Sequence, residues 1–454
     1  MNTPPLAGGI TGPDALRPLL ALVLDALGEG AIARGGPVPA GGPDAVAARM
    51  RQSLGDVLPE HGAGAAPALR TLVRAVAHGA ADPADPLCAA HLHTPPLALA
   101  VAADLAASAL NPSMDSWDQA PAASELEAQV TRVLAAEVYP GRTAPDAIVT
   151  TGGTESNQLA LLLARERVGT PVQVVCDDST HHSVGRAAWL LGLPRPLTVP
   201  LNDPAALDDT LTRLHGPVLV VATAGTTDTG RIDPLGRIAD LADRHRAELH
   251  IDASYGGPLL FSSERRHLLT GLERAHSVTL DLHKLGWQPV AAGLLAVPDT
   301  TRLAPLGHTA EYLNAEDDTD AGLPDLLGRS LRTTRRPDIL KIAVTLKALG
   351  RTGLAALVDR TCAAAHDLAD LVDKNPRLEL YERPTLSTVL FRPTGASDEQ
   401  TAEIRRALLV QGRAVLGRAR ADGRLWLKAT LLNPHITSGA LQTLTDLVEG
   451  STPR

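Results

Sequence analysis

A lysine follows a histidine at the end of an apolar run in SVTLDLHKLGWQPVAAGLLAV, Ser277 to Val297. Lysine is seldom buried without a partner. One held in dry surroundings gives up its proton and becomes a nucleophile able to form a Schiff base with an aldehyde. Asp252 stands 32 residues before Lys284, in HIDASYGG, again after an apolar run. That interval is about one strand–helix–strand repeat, so a parallel sheet brings both groups to one edge. A carboxylate so placed needs a cation or several hydrogen-bond donors.

Two further stretches end apolar runs in the same way. TTGGTESNQLALLLAR sets Gly152, Gly153 and Thr154 at the start of a helical pattern, which presents backbone N–H groups and a hydroxyl to an anion, naturally a phosphate. Thr154 is also a good N-cap. CDDSTHHSVGRAAWLLG offers His181, His182 and Ser183; adjacent histidines point in different directions, so both rarely serve one site. VVATAGTTDTG adds the hydroxyls of Thr226 and Thr227. Taken singly, each stretch has a plain structural explanation: a capped helix, a satisfied histidine, a capping aspartate, a lysine snorkelling to water. Taken together they supply an amine for an aldehyde, a carboxylate for a cation, a cradle for a phosphate and a flat side chain for a ring. Pyridoxal 5′-phosphate carries all four complements, and its power lies in a protonated pyridine that accepts electrons. A metal centre is the competing use of His181, His182, His250, Asp252 and His283. Their order has no ligand spacing such as HExxH, and Lys284 would set a cation beside the metal, so no metal is expected.

The elements that must position these groups alternate along the chain. Strand-like runs AIVTTGG, PVQVVCD, GPVLVVATAG, AELHIDAS, HSVTLDL and GLLAV are separated by helical stretches Glu155–Val168, Val184–Leu191, Asp203–Leu214 and Pro234–Arg246. Continuous apolar strands alternating with helices predict an α/β domain with a mostly parallel sheet covered on both faces, with functional groups at the strand ends. Residues 86–335 form this large domain. Residues 1–85, rich in Ala, Gly and Pro, carry short helical patterns at Ala15–Leu27, Pro43–Leu54 and Ala68–Ala77 and are expected to pack as an arm. Residues 336–454 read as a smaller α+β domain, with helices at Asp338–Leu349, Leu354–Leu371 and Thr437–Glu449 and strands in TLSTVLFRP and GRLWLKATLL. The acidic run Glu316–Gly322 is expected to be an exposed mobile loop.

The chain has 454 residues, 44% hydrophobic and 20% charged, and a net charge of −9 from 42 basic and 51 acidic side chains. That balance argues against nucleic acid as a partner. Cys88, Cys176 and Cys362 form neither a disulfide framework nor a CxxC pattern, which fits a reduced cytoplasm. No signal peptide is evident, and no uncharged apolar run approaches the roughly 20 residues that span a bilayer.

From about Leu87 the sequence resembles the group II pyridoxal-phosphate-dependent amino-acid decarboxylases. HLHTPPL, NPSMDSWDQAPAASELE, TTGGTESN, HHSVGRAAWLLGL, ATAGTTDTGRIDPL, HIDASYGG, DLHKLGWQP, AEYLNAEDD and RSLRTTRRPDILKI fall in family order. SMDSWDQAP and TTRR look most like the bacterial branch acting on L-2,4-diaminobutyrate and lysine. The resemblance implies the type I, aspartate-aminotransferase-like fold and a homodimer with shared active sites. It implies Lys284 as the residue that bears the cofactor, with His283 its neighbour; Asp252 as partner of the pyridine nitrogen; His181 stacked on the ring; Gly153 and Thr154 at the phosphate; and Thr227 beside the cofactor. Tyr312, 28 residues beyond Lys284, matches the tyrosine of a mobile catalytic loop that delivers a proton. Ser254 stands where the family usually has alanine against the cofactor, and Pro337 where an aromatic is common.

The implied activity is decarboxylation of an L-amino acid to its amine, a diamino acid such as 2,4-diaminobutyrate or lysine being one substrate class. Aspartate, glutamate and branched aliphatic substrates stay open, as does a decarboxylative oxidative deamination that yields an aldehyde. A basic substrate wants a carboxylate, and Glu311, Asp317 and Asp318 are candidates that serve equally as solvated loop charges.

Overall fold

The computed structural model describes residues 3–308 and 310–451. It divides into two compact units, one from Pro96 to Arg360 and one joining the stretch up to Pro95 to the stretch from Thr361 onward.

After a two-residue strand β1 (Cys88–Ala89), seven strands build the sheet of the first unit: β2 (Asp146–Thr150), β3 (Gln173–Cys176), β4 (Leu197–Thr198), β5 (Val218–Thr223), β6 (Glu248–Ala253), β7 (Ser277–Asp281) and β8 (Gly293–Val297). Their order across the sheet is β2-β8-β7-β6-β5-β3-β4. Every neighbouring pair is parallel except the two that involve β8. The mostly parallel α/β fold expected from the sequence is therefore present. Strands β2, β5, β7 and β8 are buried along their whole length, as strands covered on both faces must be. The covering helices Gly153–Val168, Ser183–Leu190, Pro204–Arg213 and Leu235–His245 lie within one or two residues of their expected bounds. Asp203 caps the third of these, accepting from the backbone N–H groups of Ala205 and Ala206.

Two of the family-like stretches meet in a buried ion pair. Arg335, in TTRR, grips Glu127, in SELE, with both guanidinium arms at 2.6 and 2.8 Å. The backbone N–H of Met114 donates to the Arg335 carbonyl at 2.9 Å. A bidentate pair with so little exposure fixes geometry more than it adds stability.

In the second unit β9 (Leu378–Leu380), β10 (Thr388–Pro393), β11 (Val415–Ala421) and β12 (Arg424–Thr430) join β1 in a sheet ordered β1-β11-β12-β10-β9. β1 pairs in parallel with β11, so residues just past the arm belong to this sheet. The arm helices are Gly12–Arg34, Gly42–Leu54 and Ala65–Gly79. The first outruns its expected end at Leu27, continuing through Gly28 and Gly30. A side chain at Gly30 would fall 2.6 Å from Ala77 Cβ; close approach of two helices there overrides the poor helix propensity of glycine. The long helical span Ile339–Asp373 breaks at Gly350, where two helices were expected. The Glu316–Gly322 run is exposed but carries a short helix, Glu316–Asp320, rather than loop alone.

Candidate active site

Strands β5, β6 and β7 end in step. Thr223 pairs with Asp252, and Asp252 with Thr279. The carboxyl end of the sheet thus collects the loops after each strand, where open α/β sheets place ligands. Lys284 lies three residues beyond the end of β7.

Asp252 is buried and its two oxygens are both satisfied. Oδ2 accepts from Asn157 Nδ2 at 2.8 Å and Oδ1 from the Ser254 N–H at 3.0 Å. Burial opposes its ionisation; the Lys284 charge, Ser254 and Asn157 outweigh burial, so its carboxyl sits below the usual range. It is an anion waiting for a cation.

Lys284 Nζ is 3.2 Å from Asp281 Oδ2, and His283 Nδ1 is 2.7 Å from Asp281 Oδ1. The Gly153 N–H also donates to Asp281 Oδ2, at 3.2 Å. Asp281, only 1% exposed, therefore gathers the lysine, the histidine and the first amide of the helix Gly153–Val168. The glycines before that helix are needed for this closeness. Gly152 has φ 149°, in the region that favours glycine, and a Cβ there would lie 2.8 Å from His283 Cε1. A Cβ at Gly153 would lie 2.3 Å from Ser254 Oγ. The cap is Gly152, not Thr154. Thr154 sits exposed in the first turn of the helix, while Glu155 takes the Thr151 N–H at 2.6 Å.

His181 follows the strand β3 in the loop before the helix Ser183–Leu190. It is part-buried, and His182 is exposed. The two rings lie 4.1 Å apart and tilted by 47°. Burial pushes the His181 pKa below its ordinary value, with Asp252 opposing. Its Nδ1 is 2.8 Å from Ser183 Oγ. Thr227 is half-buried in the loop after β5, and Thr226 Oγ1 pairs with Thr229 Oγ1 at 2.8 Å. Tyr312 is 82% exposed. Two residues on, Asn314 is buried and donates to the Asp115 carbonyl at 3.4 Å. That bond ties the tyrosine's loop to SMDSWDQAP. Glu311, Asp317 and Asp318 are exposed.

Three residues of this site escape a reading of the sequence as functional: Asn157, His250 as anything but an imagined metal ligand, and Asp281. Asp281 carries the signature that marks Asp252, an acid closing an apolar run, and stands three residues before the lysine. Asn157 is one polar residue in a helical stretch, and only packing shows it to be inside. Among the described residues no group of three or more His, Cys, Asp or Glu is arranged to hold a metal ion.

The donor set fits pyridoxal 5′-phosphate. Lys284 provides the amine, Asp252 a buried carboxylate kept ionised, and the glycine turn a backbone cradle. Ser254 Oγ is buried in that cradle, against the Gly153 backbone, where its hydroxyl can turn toward an acceptor.

A family model for the pyridoxal-dependent decarboxylase conserved domain matches residues 50–394. L-2,4-Diaminobutyrate decarboxylase of Rhizobium meliloti (strain 1021) is 42% identical over 419 residues, covering 88% of this chain and 84% of that one. The enzyme of the same description from Acinetobacter baumannii is 34% identical, covering 78% of each. Among solved structures, the glutamate decarboxylase domain of diaminobutyrate-pyruvate transaminase and L-2,4-diaminobutyrate decarboxylase from Vibrio parahaemolyticus superposes with a TM-score of 0.87 at 32% identity, over 98% of this chain and 97% of that one.

Proposed function

Because the chain belongs to the pyridoxal-dependent decarboxylase family and is a pyridoxal-phosphate-dependent amino-acid decarboxylase, we propose that its substrate is L-2,4-diaminobutyrate, converted to 1,3-diaminopropane and carbon dioxide. The observation that carries this choice is the 42% identity with a diaminobutyrate decarboxylase over 88% of the chain. The comparisons do not favour the aldehyde-forming or the acidic and branched-substrate alternatives.

Bound at this site, the cofactor supplies a sink for the electron pair left behind as carbon dioxide departs. The chain's own residues do the rest. Lys284 holds the cofactor through its amine. Asp252, locked by Asn157 and Ser254, keeps a proton on the pyridine nitrogen. The turn at Gly152 and Gly153 would let the phosphate approach the backbone, with Ser254 and Thr154 offering hydroxyls and His283 beside it. His181 would lie against the ring, and Thr227, in the loop after β5, would line its edge. Tyr312 reaches in from its loop to give the substrate α-carbon a proton; with 82% of its surface open, it must move or be covered to do so. A Tyr312→Phe enzyme is expected to bind cofactor normally and lose roughly 10²–10⁴-fold in amine formation, the usual range for a positioned acid. Unchanged amine output would take Tyr312 out of this role.

A homodimer with shared sites is part of this reading. It is supported by the arm, whose helices Gly42–Leu54 and Ala65–Gly79 have no buried residue and which leaves Leu24, Ile32, Val57, Leu58 and Val76 exposed; such a surface suits a partner. A cytoplasmic setting is supported by three free cysteines. Among the described residues no helix is long and apolar enough to cross a membrane.

The test is a screen of L-amino acids with mass-spectrometric detection of the amine. Diaminobutyrate is expected to lead lysine, which is two methylenes longer, by roughly tenfold or more in kcat/KM. Preference for aspartate, or an aldehyde with peroxide and ammonia, would end the substrate assignment.

A further inference from the structure

Asn157 is completely buried, and its amide meets four groups. Nδ2 lies 2.8 Å from Asp252 Oδ2 and 2.9 Å from Ser183 Oγ. Oδ1 lies 3.0 Å from both His250 Nε2 and Thr279 Oγ1. Ser183, His250 and Thr279 are buried as fully as Asn157 itself, so bulk water does not reach the pattern and its protons are shared among these protein groups.

With Asp252 ionised, one pattern is consistent. A carboxylate only accepts, so the amide turns its NH₂ toward Asp252. Its second hydrogen goes to Ser183. The amide oxygen then faces His250 and Thr279, both of which must donate. Burial holds His250 neutral, with a pKa lowered to about 4; facing the amide oxygen, it carries its single proton on Nε2, and Nδ1, which also lies 3.2 Å from the Ser277 carbonyl, accepts from Ser277 Oγ at 2.8 Å. Ser183 Oγ, already accepting from Asn157, has one hydrogen left for His181 Nδ1. The Ser183 backbone N–H points at the same nitrogen, at 3.4 Å. Two donors on Nδ1 leave the imidazole proton on Nε2, which has no partner among the described residues. Flipping the amide reverses every arrow. Asp252 would then carry a proton, Ser183 would donate to Asn157, and His181 would bear its hydrogen on Nδ1.

We propose that Asn157 is a positioning residue that couples the charge on Asp252 to the tautomer of His181, so that while Asp252 is ionised His181 presents an Nε2–H to the substrate's α-carboxylate. This rests on the decarboxylase reading of the site. It assigns a role to the buried asparagine of TESN, which neither touches substrate nor reaches the open cleft.

The test is nitrogen NMR on cofactor-loaded enzyme whose histidine rings carry ¹⁵N, with His181 assigned from a His181→Gln control. His181 is expected to show an unprotonated Nδ1 and a protonated Nε2. Asn157→Leu frees Ser183 from its donor, and the two His181 signals are expected to move toward a mixture of tautomers. Ser183→Ala cuts the same link from the other end without touching Asp252, and is expected to mix them as well; it decides the matter if Asn157→Leu does not fold. In either variant kcat is expected to fall roughly 10- to 100-fold, as for loss of a hydrogen bond to a charged or reacting group, with KM little changed. A protonated Nδ1 in the parent enzyme, or wild-type His181 signals in the variant proteins, would overturn the proposal. Failure to take up cofactor would instead sink the functional reading, and the same spectrum of the unloaded protein still reports the tautomer.

Discussion

Lys284→Ala is expected to reduce amine production by on the order of 10⁴-fold or more, since a nucleophile that acts as part of a unit removes nearly all catalysis when deleted. The geometry sharpens the expectation. Lys284 is the one side chain that both reaches Asp281, at 3.2 Å, and lowers the carboxyl of Asp252. No other lysine or arginine contributes to Asp252 among the causes of its shift. Removing the amine takes the lysine partner from Asp281 and a nearby positive charge from Asp252, so the unloaded variant is expected to lose stability as well. Lys284→Arg separates the two effects. It restores a positive charge near both acids and so recovers stability, yet guanidinium does not lose its proton to act as a nucleophile. Borohydride treatment of the loaded parent, followed by peptide mass mapping, is expected to place the cofactor on position 284. A label elsewhere, or an active Lys284→Ala enzyme, would refute the assignment.

Asp252→Ala is expected to have the second largest effect. It strands the Asn157 amide hydrogen and the Ser254 N–H, each within 3.0 Å of an oxygen that no longer exists. It also removes the anion that, in the proposed reading, would keep a proton on the pyridine nitrogen. Breaking a buried charged contact from one side amounts to about 3–5 kcal/mol, on the order of 10³-fold in rate if it falls on the transition state. Asp252→Asn keeps the shape and discriminates. It should fold, bind cofactor and remain slow, because a neutral amide does not hold the ring proton. The pH dependence has a definite sign. The folded pKa of Asp252 lies below its unfolded value of about 3.9, so its stabilisation is complete above that value and fades only as pH falls through the lower folded one. A stability difference between the parent and Asp252→Asn that is constant above about pH 4 and shrinks only below it would support this. Equal rates in the two enzymes would contradict it.

How much of this was legible in the chain depends on the scale of the interaction. Lys284 and Asp252 could be found because each directly follows a continuous apolar run, and a strand ending in an ionisable group is conspicuous along a single line of sequence. The helices flanking the sheet were readable for the same reason: their periodicity is local. The strand Val415–Ala421 was not, since VLGRARA alternates arginine with small residues and only its pairing with β12 makes it a strand. The helix Asp398–Val410 was missed although Ser397 and Gln400 form a capping box, because its apolar stripe is thin. Asn157 and His250 are polar residues whose meaning arises from 93 residues of intervening chain. Local patterns carry no trace of such a pairing.

The reversed strand β8 has a consequence for how the molecule comes into being. It returns beside β7 and seats β2 on its far side, which is how Gly153 meets Asp281 across 128 residues. Contacts of such separation close slowly. A cofactor held there would find its site complete only once β8 is in place, and would then stabilise the fold by mass action, about 2.7 kcal/mol at a concentration one hundred times its dissociation constant. Without that ligand the folded chain would lack this increment and unfold more readily.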